Sequence, residues 1–162
     1  MTQTSKYYDD NAASFFQSTV DVDMSPLHAR FLQHLSEGAT ILDAGCGSGR
    51  DAKAFKDLGH RVEAFDASAE LAKLASAHLK QEVHVRTFLD VAEIAAYDGI
   101  WACASLLHLP QAAVPQALRN LWLALKPCGV LYVSFKLGHG ERSQGQRHFT
   151  DVTEAQLSGW MG

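Results

Sequence analysis

Apolar positions along this chain switch between a helical and an alternating period. Tyr7 to Ser18 mixes aromatic and polar residues and predicts a helix through Ala12-Ala13-Ser14-Phe15-Phe16, with a softer stretch from Thr19 to Asp23. Ser25-Pro26 then opens a second helix, with Leu27, Phe31, Leu32 and Leu35 on one face and Gly38 as its stop. Ala39 to Ala44 is short and apolar, as a strand buried on both faces should be. The helix after it turns Ala52, Phe55 and Leu58 inward and Lys53, Lys56 and Asp57 outward, and ends at Gly59. His60 to Phe65 alternates as a second strand and runs into Asp66. Ser68 caps the next helix, whose face is Leu71, Leu74, Ala75 and Leu79.

Val83 to Phe88 predicts a third strand, followed by Leu89-Asp90 and a short amphipathic crossover through Ile94. Asp98 to Ala104 predicts a fourth. Val114, Leu118, Leu121, Trp122 and Leu125 mark a helix entered through Pro110 and Pro115 and closed by Lys126-Pro127. Val130 to Phe135 predicts a fifth strand. Strands and helices alternating at this spacing imply an α/β fold: a doubly wound, mainly parallel, Rossmann-like sheet in the order 3-2-1-4-5, with helices on both faces. The winding reverses between strands one and four, which opens a crevice at their carboxyl ends.

Ile41-Leu42-Asp43-Ala44-Gly45-Cys46-Gly47-Ser48-Gly49-Arg50-Asp51 sits at that crevice. Three alternate glycines let a ligand approach the backbone, and the following helix aims its free N–H groups at it. The continuation Arg50-Asp51 departs from the dinucleotide fingerprint. Asp43, two residues before Gly45, would repel a pyrophosphate but suits an ammonium group. Asp66, twenty-one residues after Gly45, is placed to accept from both hydroxyls of a ribose, which NAD and S-adenosylmethionine share. Asp90 is suited to accept from an adenine amino group, or to serve as an ordinary turn acid.

Charge and composition change the picture by exclusion. Eighteen acids against fourteen bases leave a net charge of −4 with no basic block, which argues against a nucleic-acid partner. The first ten residues have no apolar signal core and no run is long enough to span a bilayer, so a cytoplasmic protein with no membrane partner is expected. Cys46, Cys103 and Cys128 are an odd set without a Cys-x-x-Cys pair, and the eight histidines show no ligand spacing. Neither a disulfide framework nor a metal site is expected.

Taken together, the glycine loop, Phe65-Asp66-Ala67-Ser68, Tyr97-Asp98-Gly99-Ile100-Trp101 through Leu107-His108-Leu109-Pro110, and Leu125-Lys126-Pro127-Cys128-Gly129-Val130-Leu131 resemble a class I S-adenosylmethionine-dependent methyltransferase. Tyr7-Tyr8-Asp9 and Asn11-Ala12 are similar to the opening of its small, single-domain, tellurite-resistance-like branch. The resemblance implies that Asp43, Gly45, Cys46 and Gly47 line the methionine part of the cofactor, through backbone more than side chain, and that Asp66 holds the ribose. It further implies Ala67 beside the adenine, Leu89 and Asp90 at the adenine edge, and carbonyls near Cys103 and Ala104 for the ammonium. Two departures stand out. Lys126-Pro127-Cys128-Gly129 replaces Lys-Pro-Gly-Gly, and the family's C-terminal antiparallel hairpin is expected to be missing, as if the chain were truncated soon after Asp151-Val152-Thr153-Glu154 starts a helix.

The expected organisation is one domain over 1–162: a helical cap over 1–38, a cofactor-binding core over 39–136, and a substrate-facing loop with the start of a helix over 137–162. His108, just past strand four, is placed for a general base, and Tyr8 for covering the cofactor or orienting an acceptor. Cys46 reads as a small ligand-lining residue, since a nucleophilic cysteine needs exposure. Arg30 is a further candidate for the methionine carboxylate. The expected function is methyl transfer from S-adenosylmethionine to a small-molecule nucleophile, by a monomer or homodimer. An NAD-dependent oxidoreductase and a non-catalytic S-adenosylmethionine-binding protein are the alternatives.

Overall fold

Strands β1 (Thr40–Ala44), β2 (Arg61–Asp66), β3 (His84–Val85), β4 (Tyr97–Ala102) and β5 (Leu125–Val133) form the central sheet. All pair in parallel, in the order β3-β2-β1-β4-β5. The computed structural model describes residues 2–162. Three helices precede the sheet, α1 (Gln3–Asp10), α2 (Ala12–Thr19) and α3 (Ser25–Leu32). Then α4 (Arg50–Asp57) and α5 (Ala69–Leu79) alternate with its first strands, and α6 (Val114–Ala124) joins β4 to β5.

The pleat of the strands separates two cores. Leu42, Ala44, Ile100 and Ala102 face α6, while Ile41 and Trp101 face Phe31 of α3, Phe55 of α4 and Ala75 of α5. Trp101 is fully buried and stacks on Tyr132 of β5, with ring centroids 4.0 Å apart and planes 11° from parallel. Buried stacked rings of this kind contribute about 0.5–1.5 kcal/mol beyond their area.

Local differences from expectation have identifiable causes. Helix α3 ends at Leu32, well before Gly38, because His34 and Leu35 donate to Phe31 and Leu32, a tightened pattern that closes the helix early. Strand β3 keeps only two residues, and Phe88–Asp90 form a 3₁₀ turn in which Asp90 accepts from the Thr87 N–H and hydroxyl. The expected crossover through Ile94 is not helical. Its N–H groups at Ala95 and Ala96 donate to Leu123 and Ala124, satisfying carbonyls that α6 leaves free at its end. Strand β5 begins directly at Leu125 and absorbs Lys126-Pro127, with a shift of register against β4 between Tyr97 and Gly99.

The central sheet ends at β5 with no antiparallel strand added to it, as expected, and the region after it holds a separate antiparallel hairpin, built from β6 (Gly140–Gln144) and β7 (Arg147–Asp151) as a two-stranded sheet of its own. Gly145, with φ +61°, takes the first position of its two-residue turn, where a left-handed backbone matches the twist of the strands. Part of the stretch expected as a substrate-facing loop is therefore an ordered ribbon. Helix α7 (Glu154–Met161) follows, capped by Thr153, whose hydroxyl accepts from the Gln156 N–H.

Candidate functional site

The end of β1 turns sharply because Gly45 and Gly47 take φ of +76° and +56°. A Cβ on Gly45 would lie 2.5 Å from Cβ of Ser105, so only glycine fits against the β4 turn. Ser105 also donates its hydroxyl to the Ala44 carbonyl at 2.8 Å, tying β1 to β4 where the winding reverses. From the other side, the Gly45 and Cys46 N–H groups both donate to the Phe65 carbonyl.

Asp66 completes the loop's support. One carboxylate oxygen accepts from the Gly47 N–H at 2.8 Å and the other from the Ser68 N–H at 2.9 Å. Burial pushes its pKa up, and the two N–H groups only partly offset that. Each oxygen keeps one lone pair for a ligand.

Around this loop lies a cleft of about 640 Å³, within the size range of small-molecule sites. Gly45, Cys46 and Gly47 line it from the first turn, with Arg50 and Asp51. Asp66, Ala67 and Ser68 line it from the second, Arg86, Thr87 and Phe88 from the third, and Cys103, Ala104, Ser105 and His108 from the fourth. Tyr8, Asp9 and Phe15 form its roof.

Four of the expected ligand residues have side chains that stand elsewhere. Asp43 shares the face of Ile41, not that of Ala44, so it points behind the loop and accepts from the Ala52 N–H at 3.1 Å. It is buried, and burial together with the Asp51 charge pushes its pKa well up. Its side chain thus serves the α4 terminus rather than the cleft. Asp90 is occupied by Thr87, and Leu89 is 51% exposed on the outside of the same turn. Arg30 is solvent-exposed on α3.

Asp51 supplies the buried charge near the loop. It accepts from His28 Nε2 at 2.7 Å, from Trp101 Nε1 at 2.9 Å, and from Arg50 Nε and Nη2 at 3.0 and 3.1 Å. Burial pushes its pKa up, but the bonds from His28 and Arg50, the guanidinium charge and Trp101 outweigh it and bring it to about 2. Arg50 is thereby held in a fork with its remaining donors free, on the wall of the cleft. Cys46 is driven well above the usual thiol range by burial, with the Asp43 and Asp66 charges adding to it. Cys103 is raised by burial as well. Both stay protonated thiols near neutral pH.

The roof is a chain of side-chain bonds made by α1. Asp9 accepts from the Ser68 hydroxyl at 2.6 Å and from the Glu70 N–H at 3.2 Å, reinforcing the start of α5. Tyr8 Oη lies 2.9 Å from His108 Nε2, and the Thr4 hydroxyl accepts from the His148 N–H of β7 at 2.9 Å. Phe15 of α2 reaches over Gly47, where its ring would come within 3.2 Å of an added Cβ. The hairpin is pinned in turn by His108 Nδ1 on the His148 carbonyl at 2.8 Å and by the Thr150 hydroxyl on the Leu109 carbonyl at 2.6 Å.

Sequence reasoning passed over Asp9, Phe15, Arg86, Phe88 and Ser105. Asp9 adjoins Tyr8 in the aromatic-acid opening and Ser105 follows strand four directly, so both carried a weak signal. The others carried none, because nothing local marks which aromatic folds onto a cleft. Among the described residues no helix is long and apolar enough to cross a membrane, and no group of three or more His, Cys, Asp or Glu side chains is placed to hold a metal ion.

Comparison with known proteins agrees with this geometry. Residues 16–155 match the family model described as a methyltransferase domain. A ubiquinone biosynthesis O-methyltransferase of Xanthomonas campestris pv. campestris (strain B100) is 33% identical over 105 residues, 60% of this chain and 43% of that protein. The same enzyme of Xanthomonas axonopodis pv. citri (strain 306) is 32% identical over 130 residues, 70% of this chain and 53% of its own length. The chain thus spans about half the length of the curated relatives it matches. Among solved structures, the Burkholderia thailandensis 1,6-didemethyltoxoflavin-N1-methyltransferase, with bound 1,6-didemethyltoxoflavin and S-adenosylhomocysteine, superimposes with a TM-score of 0.78 at 26% identity. The match covers 97% of this chain and 73% of that one.

Proposed function

The chain belongs to the methyltransferase-domain family, and on that footing we propose that it moves a methyl group from S-adenosylmethionine to a small-molecule nucleophile. The observation that carries this reading is Asp66, a half-buried carboxylate fixed to the loop by Gly47 and open to the cleft on its remaining lone pairs. A ribose diol is a natural partner for such an acid.

The remaining residues fit the same ligand. Gly45 packs against Ser105 of the β4 turn without room for a Cβ, which fixes the loop where its backbone lines the cleft. Ala67 and Phe88 supply flat apolar cover on the nucleoside side. Arg50, held in its fork by Asp51, presents free guanidinium donors to a carboxylate beside the α4 N-terminus. Cys46 lines the cleft as a small thiol, and the turn at Cys103 and Ala104 borders the end nearest β5.

When bound, S-adenosylmethionine supplies a methyl group already activated by its positive sulfur. The protein's contribution is to align and to exclude water. Well-oriented partners gain up to about 7–11 kcal/mol over free encounter. Helices α1 and α2 roof the cleft, and the Tyr8–His108 bond closes the roof against the β4 turn. His108 Nδ1 faces a carbonyl and therefore carries the proton, which leaves Nε2 to accept from Tyr8. His108 accordingly positions the roof, with its one free lone pair already in use.

A calorimetric or thermal-shift titration tests the reading. S-adenosylmethionine and S-adenosylhomocysteine should each raise stability, by about 2.7 kcal/mol at a hundredfold excess over the dissociation constant. No shift with either ligand would remove the proposal.

A further inference from the structure

The Asp9 carboxylate is only half used. Its Oδ1 accepts both of the bonds that brace the start of α5, from the Ser68 hydroxyl at 2.6 Å and the Glu70 N–H at 3.2 Å. Its Oδ2 takes no hydrogen bond among the described residues. Asp9 is half-buried and lines the cleft. Support of α5 therefore accounts for one of its oxygens and leaves the other without a partner.

Two carboxylates meet at a single residue here. Ser68, itself buried, donates its N–H to Asp66 at 2.9 Å and its hydroxyl to Asp9. Neither acid stands in an ion pair among the described residues, and Lys6 of the same helix as Asp9 pairs with Asp10 instead. Burial pushes the Asp66 pKa up, and the Asp9 charge adds to that rise. Like charges this near one another repel. A neutral ligand that brings hydrogen-bond donors to both relieves the repulsion without introducing a charge of its own.

The ligand proposed above carries two such donors side by side, on adjacent carbons of its ribose. Asp66 meets them from the end of β2, with one lone pair of each oxygen already given to an N–H group. Asp9 meets the same cleft from the roof. We propose, resting on the methyltransferase reading, that the cofactor ribose is held by two acids, with one hydroxyl donating to Asp66 and its neighbour donating to Asp9 Oδ2. The cofactor then ties α1 to the sheet. Tyr8, one residue before Asp9, bonds His108 beside the turn after β4. A ribose that fixes Asp9 thus also steadies the part of the roof that faces the β4 side of the cleft.

Calorimetric titration of the full chain tests this with S-adenosylhomocysteine and its 2′-deoxy and 3′-deoxy analogues. Asp9→Asn keeps a carbonyl oxygen for Ser68 and Glu70 but replaces the free oxygen with an amide nitrogen. It should bind S-adenosylhomocysteine about tenfold or more weakly than the parent, the worth of one hydrogen bond to a charge. With one of the two deoxy analogues, parent and variant should bind alike, and that analogue identifies the hydroxyl held by Asp9. Asp9→Ala, which also drops the Ser68 bond, should weaken all three ligands but lose least on that same analogue. Equal losses on all three ligands would assign Asp9 to the start of α5 alone and overturn the proposal. Undiminished binding of S-adenosylhomocysteine by Asp9→Asn would overturn it as well. Failure of S-adenosylhomocysteine to bind the parent would instead overturn the methyltransferase reading.

Discussion

Tyr8 Oη stands 2.9 Å from His108 Nε2 across one hundred positions of chain, and His108 Nδ1 stands 2.8 Å from the His148 carbonyl. One imidazole therefore joins α1, the turn after β4 and the hairpin. Because a carbonyl only accepts, the Nδ1 proton and the Tyr8 proton are both assigned by the geometry. Burial takes the His108 pKa down to about 4, so the ring is neutral under ordinary conditions.

Tyr8→Phe removes the donor and leaves a buried nitrogen without a partner. A loss of about 1–3 kcal/mol is expected, read from the midpoint of urea unfolding at unchanged slope. An unchanged midpoint would mean that the roof is not held there.

His108 also sets a pH dependence. Its folded pKa of about 4 lies below the ordinary value of 6.5, so between these values the unfolded chain binds more protons. Stability is therefore fully present above about pH 6.5 and falls as the pH drops toward 4, by at most about 3 kcal/mol. His108→Gln should flatten that part of the stability profile. An equal slope in parent and variant would assign the effect to other groups.

Arg50 and Asp66 are expected to divide the cofactor between them. Arg50→Gln should weaken S-adenosylhomocysteine by about tenfold or more, the worth of one charge-assisted bond, yet bind 5′-methylthioadenosine, which lacks the carboxylate, nearly as well as the parent does. Asp66→Ala should weaken both ligands, since both carry the ribose. Equal losses for the two ligands in Arg50→Gln would move the carboxylate elsewhere.

Gly45→Ala places a Cβ 2.5 Å from Cβ of Ser105 at a φ of +76°. The loop must shift, at a cost of at least about 1–3 kcal/mol from backbone strain alone. Thermal unfolding and S-adenosylhomocysteine affinity should both deteriorate. The double variant Gly45→Ala with Ser105→Gly should recover part of the loss, because the contact atom is gone.

Much of the sheet was legible because it rests on local pattern. Short apolar strings between amphipathic helices indicate parallel strands, and the glycine loop with Asp66 marks where the winding reverses. The direction of the Asp43 side chain is contained in the same pattern: two positions from Ile41, it shares the face turned toward α4, away from the cleft. The β6–β7 hairpin was missed because its strands are polar, with a charged Arg142 and Arg147 where alternation would show apolar residues. Those cations are held instead by Phe149, a contact with no local signature.

The sequence by itself determined the order of elements, the glycine turn and the acid at the end of β2, since these depend on backbone freedom and on the period of apolar residues. Only the tertiary structure decided that Asp9 meets Ser68, that Tyr8 meets His108, and that Lys136, Arg142 and Arg147 surround one phenylalanine. Such contacts join residues that many sequences carry and that no spacing rule connects. Hydrogen bonds and cation–π contacts act over a few ångströms, so what they select depends on where the whole chain brings its parts. The loop that opens at Gly45 could be read from one dimension, whereas the roof over it exists only in three.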